Sequence, residues 1–431
     1  YEFIDAKVIE KINGNKINFT FEIEDTKKLY VNKINILGNN ITSERFIRDL
    51  LIVDEGDPFN KILHNKSLNK LRSKNLFSKV KSKIIDTENS DQKDINIIIE
   101  EKPTGELMAG AGYGSDGSTF SIGVKENNFK GEGINLNSKL SLSEQTVKGF
   151  FEYTHPNFAY SDRALSTSLE SSVTDKLTDF GYKSSLNKIS LGTRYEQFED
   201  TFFSPRLSIS DESLDTTSTA SAAYKKQQGS YFDTTFDYGL TLDKRNSAYQ
   251  PSSGFYSSWF QQLPIISENQ TIVNGYQITG YKEIVDDMIV SSGIYSRAVN
   301  SLSNDDVRVS KRIFAPSSRL RGFESGKVGP VDGTDHIGGN YVVTINTSST
   351  VPYILQTQEN LDLKVFFDAG NIWGVDYSST LDDSNTIRTS TGVALEWTTP
   401  VGPLSFSFSE VLSKASTDKT ESFKFQLGTT F

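Results

Sequence analysis

The chain has 431 residues, 36% of them apolar, with a mean hydropathy of −0.41, and no uninterrupted apolar run is longer than Leu50-Leu51-Ile52-Val53. A membrane-crossing helix needs about 20 consecutive apolar residues, so a helical membrane protein is excluded. A net charge of −10 argues against nucleic acid as a partner, and the lack of cysteine removes disulfides, thiolate metal sites and cysteine nucleophiles together.

Three scattered histidines, His64, His155 and His336, leave little material for a zinc site or a histidine-based triad. No metal, cofactor or catalytic residue is expected, and the chain reads as a non-enzyme. Aromatics still reach 11%, with 28 Phe and 18 Tyr. Few aliphatics, many aromatics and little helix signal suit either a large soluble β-protein or a transmembrane β-barrel. The chain opens on Tyr1 without a charged-then-apolar leader, so it is expected to be a piece of a longer precursor.

Charge divides the chain near Pro103-Thr104-Gly105. Residues 1–103 hold 18 basic and 17 acidic side chains, and the remainder carries a net −11. The first part reads as α+β. Lys33–Leu37 alternates like a strand and stops at Gly38-Asn39. Thr42 is placed to cap a helix with Phe46, Ile47, Leu50 and Leu51 at helical spacing. Gly56-Asp57-Pro58 breaks it, and a second helix is expected through Leu63, Leu68, Leu71 and Leu76. Strands around Val80–Ile85 and Asp94–Glu100 complete a β-α-α-β-β domain over residues 28–102. Residues 1–27 read as the closing strands of a preceding copy.

From residue 103 to 431 helical periodicity all but vanishes. Ile134, Leu136, Leu140 and Leu142 alternate with polar residues, as do Leu404, Phe406 and Phe408, and then Phe423, Phe425, Leu427 and Phe431. Some sixteen such segments at about 20 residues each match the rhythm of outer-membrane barrels. A soluble β-sandwich would alternate too, but the terminal aromatic strand favours a 16-stranded antiparallel transmembrane barrel.

Two motifs stand out. Gly112-Tyr113-Gly114-Ser115-Asp116-Gly117 fits a dinucleotide pattern, yet the residues after it, Ser118–Val124, read as a strand and not as the helix that would hold a pyrophosphate. A hairpin turn is the expectation. Gly110, Gly112 and Gly114 share one face of the first barrel strand; since glycine weakens strand pairing, they read either as a weak closure against the last strand or as a tight lumen near the N-terminal domain. The second motif is Arg321-Gly322-Phe323, inside a stretch of non-alternating residues 300–338. Connections of that length are usually functional or disordered.

Leu320-Arg321-Gly322-Phe323 resembles the conserved loop motif of the POTRA-plus-barrel superfamily of outer-membrane assembly proteins. Gly338-Gly339-Asn340, Phe367–Trp373, Pro400–Phe406 and a terminal Phe423–Phe431 follow in that family's order. Gly38-Asn39, Thr42, Ile47-Arg48 and Leu76-Phe77 resemble a POTRA domain. The chain thus resembles a member of that superfamily cut back to its last POTRA domain and barrel. The resemblance implies that the loop folds into the lumen and that Arg321 bonds Asp368 on the inner wall. A second acidic partner falls at Asn346, so that contact is weakened or moved. Glu55 sits where such POTRA domains meet a BamD-like lipoprotein.

The implied function is folding and insertion of client outer-membrane proteins. A lateral gate between the first strand (Gly110, Gly112, Gly114) and the last (Phe423, Phe425, Phe431) would let a client strand add by β-augmentation. Membrane lipids, unfolded outer-membrane proteins and the lipoproteins of the assembly machinery are the implied partners, in the outer membrane of a Gram-negative bacterium with the POTRA domain in the periplasm. The rival readings are a TamA-like or two-partner-secretion transporter, a passive porin, and a barrel lipase relying on His155.

Overall fold

The computed structural model describes residues 6–13, 16–23, 28–114, 117–161, 163–247, 251–286, 288–303, 305–351, 361–377, 386–399 and 402–428. These fall into two compact units.

The N-terminal unit holds an antiparallel pair, Ala6–Asn13 with Lys16–Ile23, and a three-stranded sheet under two helices. In that sheet Gln92–Glu101 lies in the middle, parallel to Tyr30–Leu37 and antiparallel to Phe77–Asp86. Alternation decides what is buried: Ile95, Ile97 and Ile99 from the central strand meet Val31, Ile34 and Ile36 and the helical residues Phe46, Ile47, Leu68 and Leu71. The helices are Glu44–Arg48 and Lys61–Ser73.

Two sequence expectations shift here. Ser43, not Thr42, caps the first helix, its hydroxyl accepting from the Phe46 N–H at 3.2 Å. Thr42 is buried, and its hydroxyl accepts instead from Asn128 Nδ2 at 2.9 Å. The second helix ends at Ser73, so Leu76 reaches the core from beyond it. Spacing alone cannot tell a last helical turn from the residue after it.

Glu101 ties the segment before the first helix. Its carboxylate accepts from the N–H groups of Asn40, Ile41 and Thr42, at 2.9, 2.9 and 2.6 Å. The turn after Phe129, which belongs to this same unit, then docks on that segment. The Ser43 N–H donates to the Gly131 carbonyl at 2.8 Å. Gly131 has φ +74°, and a Cβ there would lie 2.1 Å from the Ile41 carbonyl oxygen, so only glycine fits.

Burial pushes the Glu101 carboxyl up, but its bonds from Thr42, Ile41 and Asn40 outweigh that, and the net shift is below the ordinary glutamate value. A depressed carboxyl stabilises the fold above its unfolded pKa and loses that stabilisation as pH falls through its folded pKa. Amide exchange at Asn40–Thr42 should therefore quicken on acidification below the usual glutamate range. Glu101→Gln should flatten that pH dependence while raising exchange at neutral pH.

The second unit is a closed antiparallel barrel. Thr201–Phe203 and Arg206–Thr216 are two pieces of one strand, since both pair with Tyr182–Phe198 and Gly229–Asp243. The break falls at Ser204-Pro205, where proline has no N–H to give the ladder. Counted that way the barrel has sixteen strands, Gly105–Gly114 first and Phe423–Gly428 last, adjacent to one another. Leu207 and Ile209 are exposed while Ser208 and Glu212 are buried; Val365 and Phe367 are exposed while Phe366 and Asp368 are buried. A barrel in lipid requires this period-two division, apolar outside and polar within. Among the described residues no helix is long and apolar enough to cross a membrane; the crossing is made by strands.

The connection between Met288–Ser301 and Tyr341–Thr350 holds a 3₁₀ turn, Val309–Lys311, and a short strand pair, Val331–Asp332 with Asp335–His336. Val307, Ile313, Ala315, Leu320, Phe323 and Val328 pack on the wall residues Val273, Val299, Val342 and Ile372. It lacks alternation because it is a core element, buried on several sides.

Candidate functional site

Arg321 is aimed at the wall by its own backbone. Its N–H donates to Asp368 Oδ2 at 3.1 Å, while Nε reaches the same oxygen at 2.7 Å and Nη2 reaches Oδ1 at 2.7 Å. This is the two-pronged fit that guanidinium offers a carboxylate and an ammonium cannot. Asp368 has no exposed surface, and the Arg321 guanidinium lies 3.5 Å over the Phe366 ring. The Arg321 carbonyl accepts from the Ser390 hydroxyl at 2.5 Å.

Asn346 is part of this site but does not bond the guanidinium. Its Nδ2 donates to Asp368 Oδ1 at 2.9 Å and to the Arg319 carbonyl at 2.7 Å. The contact has moved: the amide supports the carboxylate and fixes the loop two residues before Arg321. Gly322 has φ +88°, and a Cβ would meet Val411, Ser409 and Ser390 at 3.0–3.3 Å. Phe323 is buried in the loop's core.

From Gly322 the loop runs along residues 419–421, which lead into the last strand. The Glu421 N–H donates to the Gly322 carbonyl at 2.9 Å, Glu324 N–H to Lys419 at 3.1 Å, and Lys419 N–H to Lys327 at 3.1 Å. Asp418 anchors the same place. It takes Arg388 Nε at 2.9 Å and Nη2 at 3.0 Å, with both side chains at most 1% exposed. It also accepts the Ala415 and Gly329 N–H groups, at 2.7 and 3.3 Å.

The sequence reading missed this pair, and missed Arg308 with Glu212 and Asp233 on another part of the wall. Strand parity alone could have found Glu212, an acid on the buried face of its strand.

Among the described residues the seam between the last and first strands comprises three pairs. Gln426, Leu427 and Gly428 pair with Gly114, Tyr113 and Gly112, and these are its only pairs among the described residues. The neighbouring seam has Leu404–Phe408 against Phe423–Leu427, and Thr271–Val285 runs almost its full length beside Met288–Ser301. Gly110 is not among the described pairs. Aromatics border the seam: Phe423 lies 4.8 Å from Phe408, and Phe425 lies 5.7 Å from Tyr113 across it. Phe431 lies outside the described residues. The glycine-rich motif ends at Gly117, φ +97°, which starts a strand; no helix stands behind it.

Glu55 is exposed yet engaged within its own unit. Its carboxylate accepts from the Ile34 N–H at 2.9 Å and from Arg48 Nη1 at 3.3 Å. The Ile34 bond, with Arg48 nearby, holds its carboxyl below the ordinary range. Arg48 Nη2 returns to the Ile34 carbonyl at 2.7 Å, and Arg48 Nε pairs with Glu44 at 2.8 Å. His155 packs edge-on against Phe158, its Nδ1 without a hydrogen-bond partner.

Comparison with known proteins places these features. The Omp85 superfamily domain matches residues 128–431, and the POTRA family, described as a surface antigen variable number repeat, matches residues 29–102. The chain is 25% identical over 429 residues to the outer membrane protein assembly factor BamA of Neorickettsia risticii, and 23% identical over 506 aligned positions to that of Neisseria meningitidis. These alignments cover 97% and 100% of the chain but 57% and 60% of the relatives, so the chain spans little more than half their length. In fold it is similar to BamA from Haemophilus ducreyi lacking POTRA domains 1–3, with a TM-score of 0.85 at 23% identity, covering 99% of this chain and 89% of that one. CdiB from Acinetobacter baumannii reaches 0.59 at 12% identity, covering 99% and 79%. The chain belongs to the Omp85 superfamily: it is a POTRA domain and sixteen-stranded barrel of the outer membrane of a Gram-negative bacterium.

Proposed function

We propose that this chain is the membrane-embedded part of a barrel-assembly factor, folding and inserting client outer-membrane proteins at the seam between its first and last strands. The observation that carries the reading is the seam itself. Unpaired backbone groups cost several kcal/mol each in lipid, so strands in barrels pair along their length. The first strand brings Gly110, Gly112 and Gly114 to this seam beside an aromatic last strand, and glycine gives a strand no side chain to pack, so the ring parts here at least cost. The freed first strand then offers N–H and C=O groups to a client's terminal strand, by strand addition. The client grows in the gap and leaves when its own edges pair. Arg321 and Asp368, with Asn346 beneath them, hold the loop inward while this happens. No covalent step, nucleotide or metal enters.

A secretion pore of the same superfamily needs a lumen free to pass a chain. Here residues 307–328 are packed on Val299, Val342 and Ile372, which favours assembly over secretion. Glu55 and Arg48 form a rigid, charged surface suited to a BamD-like lipoprotein, with unfolded outer-membrane proteins and membrane lipids as the other partners.

The test uses the cysteine-free background. Tyr113→Cys with Leu427→Cys joins directly opposed residues of the seam. The oxidised barrel should lose client insertion, and a reductant should restore it. Insertion at the normal rate by the fully oxidised protein would remove lateral opening as the mechanism.

A further inference from the structure

The long loop is tied to the wall at a second place, far around the ring from Arg321. Arg308 Nη1 lies 3.1 Å from Glu212 Oε2, and Nη2 bonds Asp233. Lys311 Nζ adds a contact to Asp233 at 3.0 Å. The side chains of Arg308, Glu212 and Asp233 are 1%, 8% and 5% exposed, and the guanidinium lies 4.3 Å over the Tyr231 ring. Ser184 and Ser267 hydroxyls donate to Glu212 and Asp233, at 2.6 and 2.5 Å. Two cations thus meet two carboxylates whose other oxygens are occupied.

Glu212 and Asp233 stand on the seventh and eighth strands of the barrel, whereas Asp368 and Ser390 stand on the thirteenth and fourteenth. One way round the ring between these places passes the strands from which the loop springs. The other passes the seam.

Given the seam-opening reading above, we propose that residues 308–321 are a cross-brace that limits how far the walls on either side of the seam move apart, with Arg308 as its second anchor and a positioning residue. The brace has little slack. Between its anchors it is a short 3₁₀ turn, Val309–Lys311, followed by Ile313, Ala315 and Leu320, all buried. Lengthening it means pulling those side chains from the core. Apolar packing alone would hold the loop without fixing its direction. Buried guanidinium–carboxylate pairs on both walls fix where each end attaches.

The experiment is done on the whole chain in lipid nanodiscs. Spin labels at Ile209→Cys and Val393→Cys, outward-facing positions on the two anchored walls, report the distance across the barrel. The otherwise intact protein should give one narrow distance population. Arg308→Ala should add a longer one and should speed amide exchange at Gly112–Gly114 roughly tenfold. Exchange in the strands Thr271–Val285 and Met288–Ser301, away from the seam, should stay unchanged. Arg308→Lys, which keeps a charge for one carboxylate, should restore the single population. A residue that only packs the loop would raise exchange over residues 309–320 and leave the wall distance alone.

If Arg308→Ala fails to fold, Arg308→Met with Glu212→Gln removes one charge of each sign, leaves Lys311 with Asp233, and carries the same readouts. An unchanged distance population and unchanged seam exchange would overturn the brace. Neither readout depends on client insertion. A locked seam that still inserts clients would therefore discard lateral opening without touching the brace, and the converse result would discard only the brace.

Discussion

Asp368→Ala should cost the barrel about 3–5 kcal/mol, the usual penalty for stripping a buried ion pair of one partner. The carboxylate is wholly buried and receives two guanidinium bonds, the Arg321 N–H and the Asn346 amide. Its loss leaves all four donors facing a small void. The expected readout is a lower urea midpoint and a smaller fraction of barrel that resists SDS until heated. Arg321→Ala should act in the same direction and at least as severely, since it leaves the wholly buried Asp368 carboxylate without a countercharge and with only the Asn346 amide as a side-chain donor. Arg321→Lys should fall between Arg321→Ala and the parent, because an ammonium cannot span both oxygens. A barrel with Asp368→Ala that stays as heat-modifiable and as urea-resistant as the parent would end the claim that this contact holds the loop.

A loss of similar size, about 3–5 kcal/mol, is expected for Asp418→Ala, because it leaves Arg388 charged and enclosed. Asp418 also collects the N–H groups of Ala415 and Gly329, so the turn before the last strand and the long loop come loose together. Protease cutting within residues 414–422 should appear in the variant and not in the parent. The solvent-facing pair of Lys93 with Asp86 is the control: Asp86 is largely exposed, and Asp86→Asn should shift stability by no more than about 0.5 kcal/mol. If Asp418→Ala behaved like that control, the enclosed pair would be dispensable.

Strand alternation carried most of the fold. A period of two puts Val365 and Phe367 on one face and Asp368 on the other, and the structure divides them the same way. Arg321 could be read because it lies in a motif and its partner lies in another. Arg308 and Arg388 could not. Arg308 sits in a loop with no periodicity, and its partners are 96 and 75 residues earlier in the chain. Which loop cation meets which wall anion is decided by barrel register, and that is a property of the closed sheet. The Thr42 cap failed for a related reason. Two adjacent hydroxyls compete for one role, and the neighbouring turn, through Asn128, claims Thr42 and leaves Ser43 to the helix.

The bonds from Gly322, Glu324 and Lys327 to residues 419–421 give the last strand a fixed end. That end enters from the loop side, whereas the three described seam pairs lie farther along the strand, at Gln426–Gly428. A strand pinned at its head swings like a door on one hinge. If it parts from its neighbour, the gap opens tail first, and the pinned end is the last to yield. Under the proposed opening of the seam, the direction in which the ring would unzip is set by where the inner loop grips.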